Sequence, residues 1–349
     1  MYKSIIRPVL FCLSAETIHH IVATILRFAR AIGLLPLLRS IFSYKHPSLE
    51  REVFGVKFPN PVGLAAGFDK NGDLYREMSA LGFGFVEVGT VTPKPQPGNP
   101  KPRIFRLRKD NALINRMGFP NKGLENMVRN LRKRKGNMVI GVNLGKNTLT
   151  TNEEAPADYL KLFRSLYEYA DYFVVNVSCP NVKDITKLQN PDNLNAILEG
   201  LFEFRRGQNH YRPILLKISP DLSFQHIDSI IQILIDTPLD GLVATNTTTS
   251  REGLTTDSQT VEKIGNGGLS GAPITNRAVE VISYIHKKTE GRYPIIGVGG
   301  IMTPEDAQRM LEAGASLVQL YTGFIYEGPA FAKKICKRLK QTEEPEKQN

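Results

Sequence analysis

The stretch VVNVSCPNV, residues 174–182, puts a thiol at the end of a short apolar run, with Asn176 and Ser178 before Cys179 and Pro180 and Asn181 after it. A free thiol ionises near pH 8.5, close enough to neutrality for general base work, and nearby cations lower that value. The plain alternative is a strand-to-loop junction, because free cysteine is often inert packing and Pro-Asn is common turn chemistry. A second residue stands out in the same way. Lys217 interrupts the otherwise apolar PILLKIS (213–219), and a buried ammonium costs several kcal/mol unless it has an anionic or polar partner, so such a partner is expected.

Bulk properties narrow the classes. The chain has 349 residues, 41% hydrophobic and 23% charged, as in a soluble globular protein with a real core. Cys12, Cys179 and Cys336 lie far apart, with no C-x-x-C and no histidine cluster, which argues against a disulfide framework or a zinc site and for a reducing compartment, and no metal is expected. The formal charge of +11 suits anionic ligands, anionic lipid or nucleic acid equally. Part of it is local: residues 1–45 hold Lys3, Arg7, Arg27, Arg30, Arg39 and Lys45 against the single acid Glu16. Another basic run, RNLRKRK (129–135), reads as the solvated end of a helix.

The elements that must position Cys179 and Lys217 follow from periodicity. Beyond Pro59, eight short β-branched runs begin at residues 61, 85, 138, 172, 213, 241, 294 and 317. Amphipathic segments at 74–81, 124–134, 159–169, 193–205, 224–235, 274–287, 304–313 and 329–339 separate or follow them. Near-continuous apolar strands alternating with helices imply a parallel sheet covered on both faces. Eight units predict an α/β fold of the (β/α)8 TIM-barrel type; an open doubly wound sheet is disfavoured by the lack of G-x-G-x-x-G after the first strand. On a barrel, chemistry sits where strands end at their C-termini. Those ends carry Asp69, Lys70 and Asn71, then Thr90, Asn143 and Lys146, then Asn176, Ser178 and Cys179, then Thr245, Asn246 and Thr247. The last two loops, GVGGI (297–301) and YTGF (321–324), suit a phosphate group held by backbone N–H donors.

Residues 1–45 contain no uninterrupted apolar stretch of membrane-spanning length, and Glu16, His19 and His20 break up any signal-peptide core. From Ser14 onward Ile18, Val22, Ile25, Ala29 and Ile32 form one helical stripe, with His19, Arg27 and Arg30 off it and Gly33 and Pro36 as stop signals. The stripe either packs on the main domain or lies in a membrane interface with its cations near headgroups. The expected organisation is an N-terminal amphipathic helical extension (1–45), a catalytic barrel (46–340) and a polar tail (341–349).

Several blocks in order, GLAAGFDKNG (63–72), EVGTVTPKPQPGNPKPR (87–103), NRMGFPNKG (115–123), GVNLGKN (141–147), NVSCPN (176–181), ATNTT (244–248), GGLSGAP (267–273) and GVGGI (297–301), make the chain resemble the dihydroorotate dehydrogenases over nearly its whole length. The NRMGF block, the PQPGNPKPR insertion and the basic amphipathic N-terminus look like the quinone-using, membrane-associated class 2. The resemblance implies FMN in the barrel mouth and oxidation of dihydroorotate to orotate in pyrimidine biosynthesis. Carried onto matching positions, the flavin would be held by Ala66, Gly67, Phe68, Asp69, Lys70, Thr90, Asn143, Asn176, Lys217, Thr245, Gly271, Gly300, Tyr321 and Thr322. The substrate would meet Lys70, Asn115, Arg116, Met117, Gly118, Phe119, Asn176, Asn181, Asn246 and Thr247.

The resemblance also puts the base that removes the C5 proton at position 179. Class 2 members usually carry serine there, and cysteine marks the soluble class 1, so this chain reads as a class 2 scaffold using a thiol. Pro180 and the polar loop to Asn193 read as a lid. Implied partners are dihydroorotate and orotate, a ubiquinone or menaquinone, and a membrane surface through residues 1–45. A monomer at the cytoplasmic face of a bacterial membrane, binding no nucleic acid, is expected. Three alternatives stand beside this: a soluble class 1-like enzyme using an acceptor such as fumarate, a tRNA dihydrouridine synthase, and a non-catalytic phosphate-ligand binder. The synthase needs an RNA-binding module, for which QTEEPEKQN (341–349) is too short. The binder leaves Cys179 and Lys217 without a role.

Overall fold

The computed structural model describes residues 2–182 and 185–343. Eight parallel strands close in sequential order into a barrel: β1 Val62–Leu64, β2 Phe85–Val91, β3 Val139–Leu144, β4 Tyr172–Asn176, β5 Ile214–Ile218, β6 Gly241–Ala244, β7 Ile295–Val298 and β8 Leu317–Leu320. Each falls inside one of the eight apolar runs. The runs read as strands because β-branched residues dominate them and because both faces of each strand are buried. Inside the barrel, Phe85, Tyr172, Val174, Leu215, Val243, Ile296 and Leu317 fill the lower half. A short antiparallel hairpin, Arg51–Val53 with Val56–Phe58, plugs that end, and the Phe58 ring packs edge-on to Phe85 at 5.1 Å. The outer core lies between strands and helices. The closed bottom leaves the opposite, C-terminal mouth as the open end.

Two features differ from the sequence reading. No strand is expected from the sequence between β2 and β3, yet Ile104–Leu107 and Ala112–Asn115, just beyond the glycine- and proline-rich block, form a hairpin, and Gly268–Gly271, from beyond β6, joins it as a third antiparallel strand. This small sheet roofs one side of the mouth. Pro36 does not merely stop the N-terminal helix. That helix, Ala15–Ala31, is capped by Ser14, whose Oγ accepts from Thr17 N–H at 3.2 Å, and it ends before Gly33 at φ 78°; Pro36 then sits in the first turn of a second helix, Leu35–Phe42. Proline suits that position because its missing N–H has no intrahelical partner to lose.

The N-terminal helices are tied to the barrel by polar contacts around an apolar cavity. Arg27 bonds Asp73 at 3.0 Å, Arg30 pairs with the buried Glu77 at 2.9 Å, and Glu16 accepts from Arg103 at 2.7 and 3.2 Å. Two of the N-terminal cations, Arg27 and Arg30, are thus held by the barrel's Asp73 and Glu77. Of the apolar stripe, Ile18, Val22 and Ile25 border the cavity beneath the helices, Ile25 remaining 59% exposed, and Ile32 is 54% exposed, alongside Phe28 at 63%. Among the described residues no single helix is long and apolar enough to cross a membrane. The polar tail expected at 341–349 starts within the last helix, Phe331–Glu343, and residues 344–349 lie outside the described residues. In the basic run, Arg134 is not free in solvent but bonds Asp171 at 2.7 Å.

Candidate functional site

The barrel mouth holds a cavity into which strand ends deliver their polar side chains. β4 ends in Asn176 and continues directly to Ser178 and Cys179; β5 supplies Lys217; β6 runs into Thr245, Asn246 and Thr247; β8 runs into Tyr321 and Thr322. The expected Ala66, Gly67, Lys70, Thr90, Asn115, Met117, Gly118, Phe119, Asn181, Gly271 and Gly300 line the same cavity.

Its floor is a connected amide array. Asn143 Nδ2 donates to Glu87 Oε1 at 2.7 Å, and Asn143 Oδ1 accepts from Thr90 Oγ1 at 2.5 Å and from Asn176 Nδ2 at 3.0 Å. Asn246 Nδ2 reaches Asn176 Oδ1 at 3.3 Å and Ser178 Oγ at 3.0 Å, and Asn181 Nδ2 donates to Asn115 Oδ1 at 3.0 Å. Side chains held this way keep fixed donor and acceptor directions, which is what recognition of a ligand with several N–H and C=O groups requires. The partner that Lys217 needs is Glu87, fully buried in β2, with the ammonium 3.9 Å from its carboxylate.

Cys179 is 8% exposed and borders the cavity together with Lys217. Burial pushes its thiol up to about 11, and the Asn181 backbone N–H and the Lys217 charge only partly oppose it. The cation effect expected to lower it is thus outweighed, because removal of water disfavours the thiolate more than one ammonium favours it. Lys70, near Gly67 at the other wall, is brought down to about 8, chiefly by burial.

The glycine loops form a close-fitting cradle. Gly300 has φ 76°, and a Cβ there would lie 2.3 Å from Thr275 Oγ1 and 2.6 Å from Thr275 N, so only glycine lets the chain pass. Ser270 and Thr322 hydroxyls meet beside it at 2.8 Å. Backbone N–H groups, two hydroxyls and a left-handed turn at the end of β7 make a donor set suited to phosphate oxygens. Gln319 also borders the mouth, with its Nε2 donating to Glu87 Oε2 at 2.6 Å and its side chain next to the Tyr172 hydroxyl. An elongated ligand with a phosphate tail and a flat polar ring fits these groups.

Four expected residues stand elsewhere. Phe68 packs edge-on against His19, Tyr321 and Phe324. Asp69 caps the following turn, accepting from Asp73 N–H at 3.0 Å and Leu74 N–H at 2.8 Å. Arg116 turns away over the Phe105 ring and donates to the carbonyl of Ile264. Asn143 acts through Thr90 and Asn176 without lining the cavity. The sequence reading passed over Glu87, Ser270 and Gln319; a lone acid in FVEVGTV and a lone glutamine in LVQLYTG were the available signals. The lid expected between Pro180 and Asn193 includes residues 183 and 184, which lie outside the described residues; its described part is the helical turn Ile185–Gln189, anchored by buried Ile185 and Leu188.

A second, mostly apolar cavity of about 650 Å³ lies between the N-terminal helices and the barrel. It shares Lys70, Met117, Pro120 and Tyr321 with the first. Its wall carries the Glu16–Arg103 pair and His19, whose imidazole is held neutral down to about pH 3, mainly by burial and then by the Lys70 charge.

The dihydroorotate dehydrogenase family model matches residues 48–342. A dihydroorotate dehydrogenase (quinone) of Christiangramia forsetii is 54% identical over 340 residues, covering 97% of this chain and 98% of that protein. One of Synechococcus sp. (strain JA-3-3Ab) is 47% identical over 357 residues, covering 99% and 94%. Among solved structures, the Eimeria tenella enzyme in complex with ferulenol superposes with a TM-score of 0.84 at 37% identity, covering 93% of this chain and 90% of that one.

Proposed function

Since the chain belongs to the dihydroorotate dehydrogenase family, we infer that its barrel mouth oxidises dihydroorotate to orotate, with a quinone as the electron acceptor. FMN is the cofactor that the cavity suits. Gly300, Gly271, Ser270 and Thr322 would hold its phosphate, and Lys217, Thr90, Asn176, Thr245 and Gln319 its ring. When bound, FMN supplies the hydride acceptor for C6 of the substrate and the electron relay to the quinone.

The chain's own residues do the rest. Asn115, Asn176, Asn181 and Asn246 orient the cyclic diamide, and Lys70 balances the substrate carboxylate. Cys179 takes the C5 proton onto its sulfur. Its raised pKa makes the neutral thiol the resting form, so the site must first lose that proton, and the same basicity then makes the thiolate a strong acceptor. Lys217 sets positive charge where electrons accumulate. The second cavity, mostly apolar and sharing the wall residues Lys70 and Tyr321 with the first, would bring a quinone up against the mouth. The exposed face of Ile25, Phe28 and Ile32 supports peripheral attachment to a membrane in which quinone is dissolved.

The observation that carries this reading is one cavity containing Cys179, Lys217 and the fixed amide array together. Anaerobic mixing with dihydroorotate tests it. The flavin absorbance should bleach, and adding quinone should restore it. Restoration by fumarate and not by quinone would favour the class 1-like alternative, to which the cysteine at 179 points.

A further inference from the structure

Glu87 is the least expected group in the barrel. It sits mid-strand in β2, 0% exposed, in a strand whose other residues are apolar or glycine except Thr90. A carboxylate buried this deeply is strongly unfavourable unless it is hydrogen-bonded and paired. Here both oxygens are held, Oε1 by Asn143 Nδ2 at 2.7 Å and Oε2 by Gln319 Nε2 at 2.6 Å, and the Lys217 ammonium stands 3.9 Å away. The four residues come from four different strands, β2, β3, β5 and β8, and converge inside the barrel.

Lys217 is therefore not a bare cation at the cofactor cavity. Its charge is shared between the cavity, which it lines, and Glu87, which lies behind it. Resting on the reading that FMN occupies the mouth, we propose that Glu87 is a positioning residue that offsets the charge of Lys217 and so holds the flavin's midpoint potential down. The ring then releases electrons to the quinone readily. A naked cation would favour the electron-rich ring and trap them there.

The substitution Glu87→Gln removes the charge and nearly preserves the shape. The Gln319 amide can turn, accepting from the new amide N–H and offering its own N–H to the neighbouring Tyr172 hydroxyl, leaving the network bonded. The test is a redox titration of the full-length, FMN-loaded protein, followed by flavin absorbance against a reference dye. In Glu87→Gln the reduction equilibrium should shift at least tenfold toward the reduced ring, about 30 mV for a two-electron couple. Bleaching by dihydroorotate becomes more complete and reoxidation by quinone slower. Glu87→Asp keeps the charge but withdraws it by one methylene, and should move the midpoint the same way by less; it serves if the glutamine variant does not fold. A midpoint unchanged or lowered in a folded, flavin-loaded variant overturns the role. Wild-type protein that carries no flavin, or is not bleached by dihydroorotate, overturns the reading of the site itself, so the two failures are distinct.

Discussion

The pH dependence of flavin bleaching follows directly from the burial of Cys179. Burial disfavours the charged thiolate, so the pKa moves up, to about 11, and the base is increasingly protonated as pH falls. At pH 8, three units below that value, about one site in a thousand carries the thiolate, and the fraction grows about tenfold per pH unit. The rate of bleaching by saturating dihydroorotate, followed by anaerobic stopped-flow with pH jumps, should therefore rise with a log–log slope near one from pH 7 to 10 and level off near 11. Cys179→Ala should retain FMN, lose the slope and fall by about 10²–10⁴-fold, the usual contribution of a positioned base. Cys179→Ser should show its rise at higher pH. A plateau below pH 9 would refute the argument from burial, and the same slope in Cys179→Ala would remove the thiol from the proton transfer.

Two further outcomes are expected. Gly300→Ala forces a Cβ to within 2.3 Å of Thr275 Oγ1 at a left-handed backbone position, so the purified protein should hold FMN at least tenfold more weakly while its circular dichroism is unchanged; full flavin occupancy would disprove the cradle. Phe28→Glu with Ile32→Glu places charge on side chains that are 63% and 54% exposed and touch little, so cosedimentation with liposomes should be lost while bleaching by dihydroorotate continues unaltered. Retained liposome binding would show that the membrane contact lies elsewhere.

The barrel was legible because its signal is local. Each of the eight strands is a β-branched run flanked by turn residues, and each falls inside the expected window. The mouth residues were legible for the same reason, since a strand that ends in Asn or Thr declares its C-terminus. What sequence could not give depends on partners far along the chain. Nothing in FVEVGTV says that Glu87 meets Lys217 and Gln319, because those residues come from strands that become neighbours only when the barrel closes. The stripe of the first helix was visible, but which face it turns to the barrel was decided by Asp73, in the turn before the helix Tyr75–Ala80, and Glu77 on that helix. The thiol illustrates the limit in energetic terms: its identity was plain, yet the sign of its pKa shift is set by the water removed around it and not by the lysine nearby.

The small roof sheet has a consequence for assembly. Ile114 and Leu269 face each other across it, one from before β3 and the other from after β6. Until most of the barrel strands have left the ribosome, that third strand does not exist, and contacts between such distant segments are slow to form. A half-made chain thus has a doorway without its lintel. The roof and the cavity it covers are therefore completed together, when the last two barrel strands bring Gly300, Tyr321 and Thr322 to the mouth.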